Sequence, residues 1–157
     1  MVDDVEGLRR ILRESRTIAM VGLSGKWHRP SNFAAKYLLE HGYDVFPVNP
    51  AYEEVLGRKC YSNLLEIPEQ IDVVDCFRKP VDIPAIAEDA ISIGAKVLWM
   101  QLGIENDKAR EIAEEAGLEV VMNRCMKIEH GRLYGGLHFI GVYTEVISSK
   151  RPKWFTY

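Results

Sequence analysis

Residues 21–42 read VGLSGKWHRPSNFAAKYLLEHG, and they begin with the last residue of an apolar run, TIAMV. A glycine follows this run at once, and Ala34, Leu38 and His41 then recur at helical spacing. A strand, a glycine-containing loop and a helix in this order are typical of the nucleotide-binding unit of doubly wound α/β folds. The loop lacks the GxGxxG spacing of dinucleotide sites, however, because basic residues and a histidine stand where the third glycine is expected.

The composition narrows the class of protein. The chain has 157 residues, of which 47% are hydrophobic and 27% charged, and its formal net charge is −3. These values are typical of one globular domain, and the acidic balance disfavours a general nucleic-acid binder. The sequence contains no apolar run of membrane-spanning length and opens without a signal-peptide pattern, so we expect a cytoplasmic protein with no membrane partner. Three cysteines without a CxxC pair indicate reduced thiols.

Apolar runs alternate with helical patterns along the whole chain. Strands are predicted over Thr17–Val21, Tyr43–Val48, Ile71–Phe77, Val97–Leu102 and Leu118–Met122. Helices are predicted over Asp3–Ser15, from Ser31 as N-cap to Gly42, from Ile83 to Gly94, from Asn106 as N-cap to Gly117, and as turns at Leu64–Glu66 and Met126–His130. Strands that are apolar throughout indicate a parallel sheet covered on both faces. The pattern predicts an α/β fold, a Rossmann-like doubly wound parallel sheet of about five strands in the order 3-2-1-4-5.

No repeat, low-complexity tract or linker-like stretch divides the chain, so we expect one domain over residues 1–157. Residues 136–157 read as a C-terminal extension with weak alternation and a basic, aromatic end. This extension fits an edge strand, a short helix or an arm on a neighbouring subunit, and the sequence leaves the three open.

The residues that follow the strands indicate where a ligand binds, because doubly wound sheets bind ligands beyond the carboxyl ends of their strands. We expect a crevice there above the first and fourth strands. Positive charge gathers at this edge from Lys26, Arg29, Arg78, Lys79, Arg124 and Lys127. In an acidic chain, this clustering favours an anionic ligand. The loop after the first strand suits a phosphate, since Gly22 allows close backbone approach and the next helix begins nearby.

The end of the second strand tests for a nicotinamide dinucleotide. NAD sites in this fold hold Asp or Glu there, against the ribose hydroxyls. Here the strand ends in VNPAYEE, with the uncharged Asn49 and Pro50 at that place. The uncharged end of this strand disfavours NAD as the ligand and leaves NADP or a 3′-phosphorylated adenosine as the candidates.

Five segments carry a resemblance to a known family. They read VGLSGKWHRPS, YDVFPVNPAYEEVLGRKCY, IDVVDCFRKP, GAKVLWMQLGI and GLEVVMNRCMKIEH, and they lie between Thr17 and Arg132. In this order and spacing they resemble the small single-domain CoA-binding proteins, and so the N-terminal CoA-binding domain of the succinyl-CoA synthetase α subunit. VNPAYEEVLGRKCY and NRCMKIEH are the most specific signals. The resemblance implies that the ligand is coenzyme A.

The resemblance also implies a layout of ligand contacts. The pyrophosphate would lie on the loop after the first strand, at Gly22, Leu23, Ser24 and Lys26. Adenine and the 3′-phosphorylated ribose would lie by Val48, Asn49, Pro50 and Tyr52. Adenosine and pantetheine would run along Phe77, Arg78, Lys79 and Pro80, with Gly103 facing the pantetheine arm. Asn123, Arg124 and Cys125 would close the same edge.

No catalytic residue and no metal site are predicted. The phosphohistidine of the synthetase α subunit lies in a second domain that we do not expect here, and no histidine, including His28 in the loop, has an evident orienting partner. Asp75 is expected to be a hydrogen-bonded structural acid. Cys125 is expected to be a packed thiol, with a mixed disulfide to the thiol of CoA as the alternative.

We therefore expect a binding protein rather than an enzyme, one that binds CoA or acyl-CoA as a carrier, a sensor or a regulator of a partner enzyme. One alternative is an NADP- or NAD-dependent oxidoreductase, for which the sequence shows no evident substrate pocket or proton donor. The other is an interaction module that responds to a nucleotide or docks through Trp154 and Phe155. Homo-oligomerisation and association with a partner enzyme both remain open.

Overall fold

The computed structural model describes residues 1–134, in which helices cover both faces of a five-stranded parallel sheet. The helices are α1 (Val5–Glu14), α2 (Pro30–Glu40), α3 (Ile83–Ser92), α4 (Asp107–Glu115) and α5 (Met126–Leu133). The strands are β1 (Thr17–Val21), β2 (Asp44–Val48), β3 (Glu54–Val55), β4 (Arg58–Lys59), β5 (Val73–Cys76), β6 (Val97–Met100) and β7 (Glu119–Val121). The predicted α/β class is confirmed, and the predicted extension at 136–157 lies outside the described residues.

The core consists of two apolar layers, one on each face of the sheet. Helices α1, α2 and α5 pack on one face, against strand residues such as Ile18 and Trp99. Helices α3 and α4 pack on the other face, against strand residues such as Val74 and Leu98. Successive residues of a strand point to opposite faces, so central strands enclosed on both sides are apolar throughout. None of the helices within residues 1–134 is long and apolar enough to cross a membrane.

The strand order differs from the predicted 3-2-1-4-5. The large sheet runs β2-β1-β5-β6-β7, which is 2-1-3-4-5 when its five strands are numbered along the chain. The predicted order is wrong because the outer edge of β2 is already occupied by the connection that follows it. The backbone N–H of Tyr61 donates to the carbonyl of Pro47, and the N–H of Asn49 donates to the carbonyl of Tyr61. The third long strand, β5, therefore pairs with β1.

The corrected order moves the expected crevice. In a sheet of order 2-1-3-4-5, the direction of winding reverses between the first and third strands. The switch point of this sheet therefore lies beyond the carboxyl ends of β1 and β5, and not above the first and fourth strands as predicted. The other edge of the sheet, β7, is partly covered within residues 1–134, because the N–H of Val2 donates to the carbonyl of Val120 at 2.7 Å.

Most helix ends agree with the sequence to within two residues, but α5 runs on to Leu133 where a turn ending at His130 was predicted, and the cap of α2 differs. Asn106 caps α4 as predicted, its side chain accepting from the N–H of Ala109 at 2.8 Å. Ser31 was predicted as the N-cap of α2, but this helix begins at Pro30 with Arg29 at the cap. Proline suits the first helical position because it has no N–H to satisfy there. The hydroxyl of Ser31 is engaged elsewhere, in the loop after β1.

The amino ends of three strands meet at the carboxylate of Asp72, just before β5. It accepts hydrogen bonds from the backbone N–H of Arg16 at 2.8 Å and of Thr17 at 3.2 Å, and it pairs with Lys96 at 2.7 Å. Burial alone would raise the pKa of Asp72, but these hydrogen bonds outweigh it and leave the pKa below its ordinary value. The ionised carboxylate therefore joins β1 and β6 to β5.

We expect Asp72→Asn to lower the free energy of unfolding by about 1–3 kcal/mol at neutral pH, because buried N–H donors lose a charged acceptor. A group with a depressed folded pKa stabilises above its unfolded pKa and ceases to do so as the pH falls through its folded pKa. The difference between Asp72→Asn and wild type should therefore shrink below about pH 4 in denaturant unfolding. Asp44→Asn, at an exposed pair with Arg58, is the control and should change stability by about 0–1 kcal/mol. A constant difference at every pH would contradict this role.

Candidate functional site

Gly22 lies directly after β1 and allows two loops to meet. Its φ is +89°, and its N–H donates to the carbonyl of Val48 at 2.8 Å. A Cβ at this position would lie 2.6 Å from the carbonyl oxygen of Phe77 and 2.9 Å from Cδ of Arg78. Only glycine combines this backbone conformation with this closeness. The loop after β1 therefore contacts the segment after β5 at the switch point of the sheet.

Hydrogen bonds within the loop after β1 fix its shape. The N–H of Ser24 donates to the hydroxyl of Ser31 at 3.1 Å, and the N–H of Lys26 donates to the hydroxyl of Ser24 at 3.1 Å. The side chain of Asn32 donates to the carbonyl of Ser24 at 2.8 Å. The N–H groups of Ser24 and Lys26 are thus engaged within the loop. The backbone N–H groups of Gly25, Trp27 and His28 donate no hydrogen bond within residues 1–134.

Asn49 links the end of β2 to the same loop. Its side chain donates to the carbonyl of Leu23 at 3.0 Å and accepts from the N–H of Ala51 at 3.0 Å. Tyr52 follows, with its ring against Gly25 and its hydroxyl 3.5 Å from that of Ser24. The uncharged end of β2 is therefore a structural clamp, a role that the sequence analysis missed.

A cavity of about 900 Å³, the larger cavity, opens at the carboxyl edge of the sheet between the start of α2 and the start of α5. The lining includes the basic side chains of His28, Arg78, Lys79 and Lys127, and the apolar or neutral side chains of Phe33, Ala34, Phe77, Gln101, Leu102, Ile104, Cys125 and Ile128. Its volume lies within the range of small-molecule sites, about 300–1,000 Å³. The cations at an apolar cavity favour a ligand with an anionic part and an uncharged part.

A cavity of about 400 Å³, the smaller cavity, opens beside Gly22. It is lined by Val21, Gly22, Val48, Asn49, Pro50, Ser62, Asn63, Leu64, Arg78, Val81, Asp82, Ala85, Ile86 and Asp89. Arg78 lines both cavities and pairs with Asp82 at 3.2 Å. The switch point of the sheet is therefore flanked by two cavities that share one arginine.

The remaining predicted site residues lie elsewhere. The side chain of Leu23 is fully buried in the core, and the carbonyl of Pro80 accepts from the side chain of Asn106 at 2.8 Å. The N–H of Gly103 donates to the side chain of Asn123 at 2.7 Å, which joins the turns after β6 and β7. None of Leu23, Pro80, Gly103 and Asn123 is among the lining residues of either cavity.

Arg124 is neutralised within the fold. It pairs with Asp3 and, at 3.2 Å, with the buried carboxylate of Glu129, and only 18% of its side chain is exposed. Its backbone carbonyl accepts from the indole of Trp99 at 2.7 Å. These contacts favour a structural role for Arg124 over a ligand contact.

A buried carboxyl lies behind the wall of the larger cavity. Asp75 in β5 is fully buried, and the side chain of Gln101 donates to its Oδ1 at 2.7 Å. The second oxygen, Oδ2, has no hydrogen-bond partner in the described part of the chain. Burial raises the pKa of Asp75 to about 7, although the bond from Gln101 acts in the opposite direction. The expected hydrogen-bonded acid is thus only half satisfied.

Cys125 lines the larger cavity and precedes α5. Burial raises the pKa of its thiol, and the Asp75 carboxylate raises it further, against hydrogen bonds from the Ile128 and Lys127 backbone. A raised pKa keeps the thiol protonated, which does not favour the activated cysteine of the mixed-disulfide hypothesis. Within residues 1–134, His, Cys, Asp and Glu side chains form no group able to hold a metal ion.

One wall of the larger cavity comes from α2 and α5 and was not predicted. Phe33 and Ala34 lie on the first turn of α2, and Ile128 lies on the first turn of α5. Only residues directly after strands were considered as ligand contacts, so helix residues that turn back over the sheet edge were not. Phe33 is half exposed, an unusual state for a large apolar side chain on an amphipathic helix. That exposure follows from packing and is not evident in the sequence.

Comparison with known proteins gives the family. Residues 16–131 match the family described as CoA binding domain. The chain belongs to the CoA binding domain family. The YneT protein of Bacillus subtilis (strain 168) is 39% identical over 123 residues, which cover 78% of this chain and 91% of that protein. The resemblance stated from the sequence motifs is thereby confirmed.

Two further similarities place this CoA binding domain among known structures and enzymes. A solved protein structure from Pyrococcus horikoshii OT3 is 55% identical, with a TM-score of 0.82, and the match covers 83% of this chain and 92% of that chain. The acetate–CoA ligase (ADP-forming) I of Archaeoglobus fulgidus is 31% identical over 129 residues, which cover 71% of this chain. The matched region is only 18% of that ligase, so the CoA binding domain corresponds to a small part of it.

We expect Gly22→Ala to destabilise this CoA binding domain more than Gly42→Ala. Both glycines have φ near +90°, which costs an L-residue about 1–2 kcal/mol. A Cβ at Gly42 meets nothing within 4 Å, whereas a Cβ at Gly22 meets the Phe77 backbone at 2.6 Å. Denaturant unfolding of the two variants therefore isolates the contact between the loops. Equal losses would show that the close approach carries no energetic weight.

Proposed function

We propose that this domain, with residues 1–157 acting as one unit, binds coenzyme A or an acyl-CoA and has no catalytic group of its own. In this proposal it carries or senses the thioester, or regulates a partner enzyme. The observation that carries the proposal is the pair of cavities that share Arg78 at the carboxyl edge of the sheet, in a chain of the CoA binding domain family. An extended ligand with two unlike ends and a charged middle suits this arrangement.

The lining residues suggest which part of CoA belongs where. The smaller cavity, beside Val48, Asn49 and Pro50, would take the adenosine. The larger, mostly apolar cavity would take the pantetheine arm and any acyl group. The pyrophosphate would pass between them, beside Gly22 and Arg78, since Arg78 lines both cavities.

The electrostatics support an anionic middle part. The larger cavity is lined by the basic side chains of His28, Arg78, Lys79 and Lys127. The backbone N–H groups of Trp27 and His28 donate no hydrogen bond within the described chain. Backbone N–H groups near a helix start and flexible cations are the usual partners of phosphate. Arg78, which pairs with Asp82, would have to exchange this carboxylate for the phosphate.

The similarity to part of an acetate–CoA ligase supports a role beside a partner enzyme. In that ligase the corresponding region is joined to a much longer chain. Here the same kind of domain would present CoA to, or report its acylation state to, a separate protein. Homo-oligomerisation is compatible with this role.

Isothermal titration calorimetry with CoA, dephospho-CoA, NAD and NADP tests the ligand. We expect CoA to bind at least about tenfold more tightly than NAD, because β2 ends in an uncharged clamp and not in a carboxylate. Dephospho-CoA measures what the 3′-phosphate contributes. Binding of NAD or NADP without binding of CoA would overturn the proposal in favour of an oxidoreductase.

We expect Arg78→Met to weaken CoA binding about tenfold or more, because a charge-assisted hydrogen bond to phosphate contributes about 1.5–3 kcal/mol. The loss should diminish at high salt, where the wild-type contact is screened. Arg58→Met is the matched control, since Arg58 is also a partly exposed arginine paired with an aspartate, Asp44, at the other end of the sheet. Equal CoA affinity in both variants would remove Arg78 from the site.

A further inference from the structure

Asp75 and Gln101 form a polar pair inside an apolar wall. Asp75 lies in the middle of the sheet, with Met20 of β1 and Trp99 of β6 as its neighbours in register. The side-chain N–H of Gln101 donates to its Oδ1 at 2.7 Å, and Oδ2 has no partner within residues 1–134. Burying a carboxyl with one unsatisfied oxygen costs stability. Because this carboxyl lowers the stability of the core, packing alone does not explain its presence, and a functional role is indicated.

Gln101 connects this pair to the ligand cavity. Gln101 lines the larger cavity, although only 3% of its surface is exposed. On the side away from the cavity, its side chain donates a hydrogen bond to Asp75. Its neighbours in the lining, Phe77, Leu102 and Ile104, are apolar. A single amide at an apolar wall is therefore in position to contact the uncharged end of a ligand.

We propose that Gln101, oriented by Asp75, is the group that distinguishes a thioester carbonyl from a free thiol at the end of the ligand. The inference rests on the proposed binding of CoA and adds to it a rule for which form of CoA is preferred. Gln101 is the specificity-determining contact, and Asp75 acts through it as a positioning residue.

The two forms of Asp75 present opposite faces of the amide. The ionised carboxylate accepts from the amide N–H of Gln101, and the amide oxygen is then left to accept from the S–H of a thiol. The protonated carboxyl donates its own O–H to that oxygen, and the N–H₂ group is then left to donate to a thioester carbonyl. The two ends of an amide are nearly equal in size, so the turn requires no additional space.

The groups around Asp75 allow its charge to change near neutral pH. Burial raises its pKa to about 7. Two thiols lie within reach of its charge, Cys76 next to it on the same strand and Cys125 before α5. Burial raises the pKa of both thiols, so both remain neutral. Met20 and Trp99 flank it from the adjacent strands. The basic residues of the larger cavity, including His28, are further titratable or charged groups in reach of the ligand and require a control.

The direction of the pH dependence follows from proton balance. Binding of an acyl-CoA takes up one proton from solvent onto Asp75, so its affinity should fall as the pH rises through about 7. Binding of free CoA favours the ionised carboxylate, so its affinity should not fall over the same range. The ratio of the two affinities cancels every charge effect of the phosphates and of the basic residues that acts on both ligands alike.

The experiment measures acetyl-CoA and CoA affinities by calorimetry on the full chain, from about pH 6 to about pH 8. In the wild type, the preference for acetyl-CoA over CoA should drop at least about tenfold across this range. In Asp75→Asn, which keeps shape but does not titrate, the preference should be constant. Gln101→Met, which keeps the volume and removes the amide, should also give a constant preference, and it decides the matter if Asp75→Asn fails to fold.

Each control separates one explanation. His28→Gln should retain the wild-type drop, because its ring affects both ligands equally. A merely structural role of Asp75 would lower both affinities or the stability and leave the pH slope of the ratio unchanged. Binding of both ligands with a pH-independent ratio in the wild type would overturn this inference alone. If neither acetyl-CoA nor CoA binds, the proposed function is overturned, and this inference with it.

Discussion

The close approach of Gly22 to the backbone of Phe77 is the constraint on which the site depends. The positive φ of Gly22 turns the chain out of β1 without a side chain, so the segment after β5 can lie against it. Asn49 then fastens the end of β2 to the same loop through the carbonyl of Leu23. Three strand ends are thereby held together, and the two cavities that share Arg78 open beside them. A bulkier residue at 22 would move all three together.

The local structure could be predicted because it follows from short-range patterns. The apolar run of β1 was assigned with the bounds that the structure has, and Asn106 was recognised as a cap from its place before a helical pattern. The strand order could not be predicted, because it depends on Tyr61 pairing with the outer edge of β2, a contact that no periodicity reveals. Such strand pairings depend on contacts between residues far apart in the chain, whereas the propensity for helix or strand depends on a few neighbouring residues.

The basic edge illustrates the same limit. Counting cations after strands indicated an anionic ligand, but it could not show which cations are already paired. Arg124 pairs with Asp3, which lies 121 residues away in sequence, and it also pairs with Glu129. Arg78 keeps about half of its surface exposed and lines both cavities. Charge composition therefore predicts the sign of a site, whereas long-range contacts determine which residues are available to it.

The covering of both edges of the sheet restricts how copies of this domain can associate. Exposed edge strands are ready templates for pairing with another chain. Here the segment at Tyr61 occupies the β2 edge, and Val2 occupies part of the β7 edge. Within residues 1–134, these contacts disfavour a continuous sheet across two protomers and leave helix faces and loops as the surfaces for association. An association through the helix starts at the carboxyl edge of the sheet would bring the two cavities close to the neighbouring molecule.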